Sequence, residues 1–167
     1  MEVIKNLNPK IFIVEDDIFY QDFLMMHFKR IGLNNIQFFS SGEEFLEKIL
    51  VEDKPFLCIL DYQIEGGMNG NQILAKLKKA FPKLPIILLS AHDTLNVAVQ
   101  ALKLGAYDYV IKNEYTFERI EDLLQKIYRL RQLEKEEQQF KRMKVYFSMS
   151  IVVIFILLLS LNHYFGL

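Results

Sequence analysis

At 167 residues the chain has room for one domain of ordinary size plus an appendage, and its 51% hydrophobic content is enough to build a core. Its 20 Lys and Arg against 21 Asp and Glu leave a formal charge of -1, which gives no electrostatic footprint for nucleic acid and excludes a strongly acidic tail. A single cysteine, Cys58, lies inside the apolar run Phe56 to Leu60 and reads as a buried thiol rather than a disulfide or metal ligand.

In chain order, Met1 to Pro9 holds no apolar stretch of signal-peptide length, so no export signal is expected there. Apolar runs of strand length follow at Ile11 to Val14, Ile36 to Phe39, Phe56 to Leu60, Ile86 to Leu89 and Tyr109 to Ile111. Between them apolar residues recur every three to four positions. That spacing predicts helices over Ile18 to Ile31, Glu43 to Val51, Gln72 to Phe81, Leu95 to Leu104, and from Phe117 onward. Gly32 and Gly105 punctuate the first and fourth helices, Ser41 with Glu44 spells a capping box, and Pro82 and Pro85 bracket the turn into strand four. Strict strand-helix alternation, with strands three and four apolar throughout, predicts an α/β fold: a doubly wound, five-stranded parallel sheet with helices on both faces.

In such sheets ligands bind beyond the carboxyl ends of the strands. Strand one ends in Glu15, Asp16 and Asp17, strand three in Asp61, strand four in Ser90 and strand five in Lys112. Carboxylates gathered from adjacent strands repel one another unless a hard cation such as Mg2+ neutralises them. A lysine and a hydroxyl beside them supply donors for the oxygens of a phosphoryl group, whose transfer needs positioning and charge neutralisation. Taken singly these residues have ordinary explanations: Asp16 or Asp17 as a helix cap, Ser90 as a loop serine, Lys112 as a solvated charge, Asp61 as a turn former.

Residues 10 to about 128 resemble a receiver domain of bacterial two-component response regulators. The residues that carry the likeness are Val14-Glu15-Asp16-Asp17, Leu60-Asp61, Ser90-Ala91 and Tyr109-Val110-Ile111-Lys112. The resemblance implies a flavodoxin-like sheet of order 2-1-3-4-5. It also implies that Asp61 accepts a phosphoryl group from a histidine kinase or phosphotransfer protein. Asp16, Asp61 and the backbone carbonyl of Gln63 would ligate Mg2+ directly, and Glu15 would act through a bound water. Lys112 would pair with the phosphoryl oxygens, while Ser90 and Tyr109 would act as a switch that alters the face formed by helix four, strand five and helix five, where an effector protein would bind.

The sequence departs from the family pattern in three places. Lys112 is followed by Asn113 where the family usually has a proline preceded by a cis bond. The stretch after Asp61, Tyr62 to Gly70, lacks the usual proline, is one residue longer and has adjacent glycines Gly66 and Gly67, which predicts a looser loop. Gln63 and His92 occupy positions that in the family tune the lifetime of the phosphoryl group. His92 reads as a surface residue rather than a second phosphorelay histidine.

From Phe117 the helical pattern runs to Lys144, 28 residues or about 42 Å if straight. Leu123, Leu130, Leu133 and Phe140 hint at a seam that Lys126 and Glu137 interrupt, leaving both a solvated linker helix over 129–144 and a weak homodimer open. Residues 145–165 carry no formal charge and are long enough to span a bilayer, so a transmembrane helix is expected there. Lys141, Arg142 and Lys144 flank it, which predicts a single-pass protein of the cytoplasmic membrane with the receiver in the cytoplasm.

The expected function is thus a membrane-tethered signalling switch with no DNA-binding or enzymatic output. The alternatives are a phosphate sink or relay intermediate, and an Asp-nucleophile phosphohydrolase. The hydrolase fares poorly because position 63 is Gln, not the second aspartate such enzymes use. A nucleotide-binding domain finds only Gly66, Gly67 and Gly70, and no phosphate-cradling turn after strand one.

Overall fold

The computed structural model describes residues 8–51, 54–91 and 95–165, the side chains of 155–165 excepted. His92 therefore lies outside the described residues. Elements alternate as expected from the hydrophobic periods: β1 (Ile11–Val14), α1 (Ile18–Arg30), β2 (Ile36–Phe39), α2 (Gly42–Val51), β3 (Leu57–Asp61), α3 (Gly70–Ala80), β4 (Ile86–Ser90), α4 (Leu95–Lys103), β5 (Asp108–Ile111) and α5 (Thr116–Phe165). The strands form one parallel sheet of order β2-β1-β3-β4-β5, as the resemblance implied. Gly32 and Gly105 adopt φ of 81° and 95°, the left-handed geometry that ends a helix without a Cβ penalty.

The three central strands β1, β3 and β4 are buried on both faces, which is why they read as unbroken apolar runs. Phe12, Val14, Cys58, Leu60, Ile86 and Leu88 point to one side, where they pack with Phe45 and Ile49 of α2, Ile73, Leu74 and Leu77 of α3, and Ala101 of α4. Alternate residues Ile11, Ile13, Ile59, Ile87 and Leu89 point the other way and are equally buried. Leu24 and Phe28 of α1 and Ile120, Leu123 and Leu124 of α5 are also buried. Phe12 meets Phe39 and Phe45 edge to face at 5.2 and 6.1 Å, contacts worth about 0.5–1.5 kcal/mol each beyond their buried area.

The chain divides into two compact units, Met1–Gln125 and Lys126–Leu167. The second consists of the distal part of α5, whose large apolar residues from Leu130 to Ile154 are exposed. Among the described residues no helix is long and apolar enough to cross a membrane. This overturns the expectation of a transmembrane helix and of a single-pass location in the cytoplasmic membrane. The reason is local: the 18-residue stretch ending at Ile154 still includes Glu137, Lys141, Arg142 and Lys144, and such charges are costly in hydrocarbon. The side chains of 155–165, which complete the expected span, lie outside the described residues.

Candidate functional site

Because every strand runs the same way, the carboxyl ends of all five lie on one rim. Val14 pairs with Leu60, so Glu15 comes abreast of Asp61. Ser90 pairs with Ile111, and the Lys112 N–H continues the ladder by donating to the Ser90 carbonyl at 2.8 Å. The Lys112 side chain crosses the rim and donates to Glu15 Oε2 and to Asp61 Oδ2, each at 2.7 Å. Both carboxylates are buried, at 1% and 6% exposure. Ionised carboxylates survive such burial only where a cation and hydrogen bonds compensate the lost water.

The two ends of this pairing respond differently. Burial pushes the Glu15 carboxyl up to about 7; the hydrogen bond from Lys112 opposes that and the negative charge of Asp61 adds to it. Burial also pulls Lys112 down, but its hydrogen bonds to Asp61 and Glu15 outweigh this and the net direction is up. The lysine shares two carboxylates, whereas Glu15 shares one cation with a like charge beside it, and that asymmetry accounts for the difference.

Asp16 and Asp17 divide two roles between them. Asp17 is the N-cap of α1 and accepts from the Phe19 and Tyr20 N–H groups at 2.9 and 3.3 Å. Asp16 turns to the rim instead and accepts from the Glu65 N–H at 2.8 Å, tying the β3–α3 loop to β1. Ligand oxygens of Glu15, Asp16 and Asp61 all lie within 4.8 Å of one another. Three carboxylates so grouped form the all-oxygen donor set that hard divalent cations take, and their mutual repulsion is what such an ion relieves, so the residues present fit Mg2+.

The expected looseness of the β3–α3 loop is not what its hydrogen bonds describe. Besides the tie to Asp16, the Gln63 N–H donates to Asp61 Oδ1 at 3.1 Å, the Met68 N–H to Glu43 at 3.3 Å, and the Gly70 N–H to the Tyr62 carbonyl at 2.9 Å. Gly70 permits this closeness, since a Cβ there would sit 2.4 Å from the Asp61 carbonyl oxygen. Asn69 and Gln72 form a reciprocal capping box at the start of α3. On the other side of the rim, the Lys112–Asn113 peptide is trans. Asn113 builds an Asx turn, accepting from the Tyr115 N–H at 2.9 Å. The buried Thr116 hydroxyl accepts from the Asn113 N–H at 2.7 Å, and its one proton lies within reach of the carbonyls of Asn113 and Ile111 at 2.8 and 3.0 Å.

Glu15, Asp16, Asp61, Gln63 and Lys112 line one cleft together with Tyr20, Tyr62, Glu65, Asn69 and Ala91. Ser90 and Tyr109 are not part of its wall. Ser90 is fully buried at the end of β4 with Ala91 at the surface of the cleft, and Tyr109 is half-buried against the cluster that includes Leu88 and Ala101. Sequence reasoning missed Tyr20, whose ring lies 4.2 Å from Lys112 Nζ in a cation–π contact. Tyr20 sits in the first turn of α1, just after the acidic run that ends β1, and no spacing rule in the sequence ties it to Lys112. Thr116 was also missed, because a buried staple hydroxyl has no sequence pattern of its own.

A family model, the response regulator receiver domain, matches residues 11–128. An NtrX-like response regulator of Rickettsia felis is 31% identical over 132 residues, which cover 78% of this chain and 27% of that protein. The transcriptional regulatory protein ZraR of Escherichia coli K12 is 31% identical over 119 residues, covering 71% of this chain and 26% of its own. The chain thus spans about a quarter of the length of these relatives. Among solved structures, the receiver domain of NtrX from Brucella abortus superposes with a TM-score of 0.64 at 25% identity, covering 71% of this chain and 97% of that one.

Proposed function

The chain belongs to the response regulator receiver domain family, and from that premise we propose that it is a phosphorylation-dependent switch in which Asp61 is the phosphoacceptor. The observation that carries the reading is the convergence of Lys112 on Asp61 and Glu15 at 2.7 Å each, with Asp16 beside them. In this reading residues 10–128 are the receiver and 129–144 a helical linker. The phosphodonor is a histidine kinase or phosphotransfer protein. As an Asp61 carboxylate oxygen bonds to phosphorus, the phosphorus–nitrogen bond of the donor's phosphohistidine breaks, and the imidazole leaves with the electron pair.

Asp16, Asp61 and the Gln63 carbonyl would hold Mg2+, with Glu15 acting through water, and the bound ion would supply positive charge against the phosphoryl oxygens. Before transfer, Lys112 holds Asp61 in place and offsets its charge. Afterwards the ammonium group is free to turn from the carboxylate to a phosphoryl oxygen. Tyr20 supports the lysine from below, and the loop tie from Gln63 fixes the carboxylate plane. Ser90 and Tyr109 lie behind the cleft wall, and their movement on phosphorylation would alter the face of α4, β5 and the first turns of α5 for an effector protein.

The test is to incubate the chain with Mg2+ and a small acyl phosphate and to follow its mass. One phosphoryl group per chain, acid-stable and base-labile, is expected, and Asp61→Asn should abolish it. Label that persists in Asp61→Asn would sink the assignment.

A further inference from the structure

The distal part of α5 carries a pattern that the receiver chemistry does not use. Counting from Leu130, large apolar residues return at heptad positions a and d: Leu130, Leu133, Phe140, Phe147, Ile151 and Ile154. All six are between 45% and 68% exposed. The d position is apolar in every heptad, at 133, 140, 147 and 154, and the stretch covers 25 residues, the three to four heptads at which a seam becomes significant. Two a positions are charged, Glu137 and Lys144. Within the helix Glu137 is paired with Lys141 at 2.6 Å, and the Lys144 ammonium lies 4.7 Å from the Phe140 ring centre, so neither charge stands alone on the stripe.

The flanking positions say what covers the stripe. In a parallel, in-register pair each g residue faces the e residue five positions on in the other helix. Here g is Arg129 and the matching e is Glu134; the next g is Glu136 and its e is Lys141. Both pairings join opposite charges, and each occurs twice in a symmetric dimer. We infer that the helix from Leu130 to Ile154 is one strand of a parallel, in-register two-stranded coiled coil whose other strand is a second copy of this chain. In register, Glu137 faces Glu137 and Lys144 faces Lys144 of the other copy, and these like charges lower the stability of the pair.

From Met143 onward apolar residues also occupy other faces of the helix, so the decisive positions lie upstream. Cys58 is fully buried and burial pushes its thiol pKa up, so added cysteines report alone. In the full chain, Leu133→Cys places equivalent residues of two copies face to face, whereas Lys135→Cys lies on the outer face. Mild oxidation should give several-fold more disulfide-linked dimer for Leu133→Cys. In sedimentation equilibrium, Glu136→Lys should weaken association by about tenfold, since two attractive pairs become repulsive, and adding Lys141→Glu should restore it. Equal linking at 133 and 135, no linking at either, or association indifferent to Glu136→Lys would overturn the proposal.

Discussion

Lys112 and Lys141 each meet a carboxylate at almost the same distance, 2.7 Å at the rim and 2.6 Å on the distal helix. Bond length does not separate them, but surroundings do. At the rim the lysine side chain is 15% exposed and its partners 1% and 7%; on the helix the two side chains are 70% and 64% exposed. Water screens the exposed pair and already solvates both of its ends, so forming it gains little. At the rim water has been removed, so each charge depends on the other, and losing one strands its partner. The first arrangement fixes a site, whereas the second tunes a surface.

That contrast is open to attack in order of expected effect. Lys112→Met in metal-free buffer at neutral pH leaves Glu15 and Asp61 buried without their cation. It should cost about 3 kcal/mol in urea unfolding, the lower end for a broken buried pair because Glu15 can take up a proton. Adding Glu15→Gln should recover part of the loss. An unchanged unfolding midpoint for Lys112→Met would erase the distinction between the two regions.

His27 is the next probe. It is buried beside α5, stacked on Phe117 at 4.3 Å, with Nδ1 3.2 Å from Arg30 Nη2 and Nε2 3.0 Å from Glu121 but out of line for a hydrogen bond. Burial lowers its pKa below 6.5; the charge of Glu121 opposes this and that of Arg30 assists. The folded chain therefore holds this proton less tightly than the unfolded chain. The neutral ring's contribution to stability is present above pH 6.5 and is lost as pH falls through the lower folded value. Glu15 acts in the opposite sense, since its folded value of about 7 exceeds the ordinary 4.5, so its contribution is lost as pH rises through about 7. Comparing unfolding of the parent and His27→Phe across this range isolates the histidine: the parent should lose more stability on acidification. Parallel pH profiles would remove His27 from the account.

Two smaller effects complete the series. Arg119 and Asp108 pair at 2.6 Å with side chains 55% and 22% exposed, an intermediate case, and Arg119→Gln should cost about 0.5 kcal/mol. Glu137→Gln on the distal helix should leave the thermal unfolding of the receiver unit unmoved, although the Lys141 hydrogen bond holds this carboxyl below its usual range. A large effect at Glu137 with a small one at Lys112 would reverse the ranking.

Alternating apolar periods were enough to place all five strands and the starts and ends of the helices within a few residues. The acidic residues and lysine at strand ends were also legible, because parallel strands must all finish on one edge. The membrane span was a different matter. The uncharged run 145–165 drew the expectation, whereas the described side chains end at Ile154 and the helical stretch up to that point still carries Glu137, Lys141, Arg142 and Lys144.

By itself the sequence determined that Glu15, Asp16, Asp61 and Lys112 reach the rim, since hydrophobic period and chain direction are local properties that survive any detail of packing. Only the tertiary structure decided that Asp17 caps α1, that Tyr20 lies under the lysine, and that Thr116 holds the β5–α5 turn. Those choices depend on side-chain direction and on how much water neighbouring elements exclude, and both are set by residues distant in the chain.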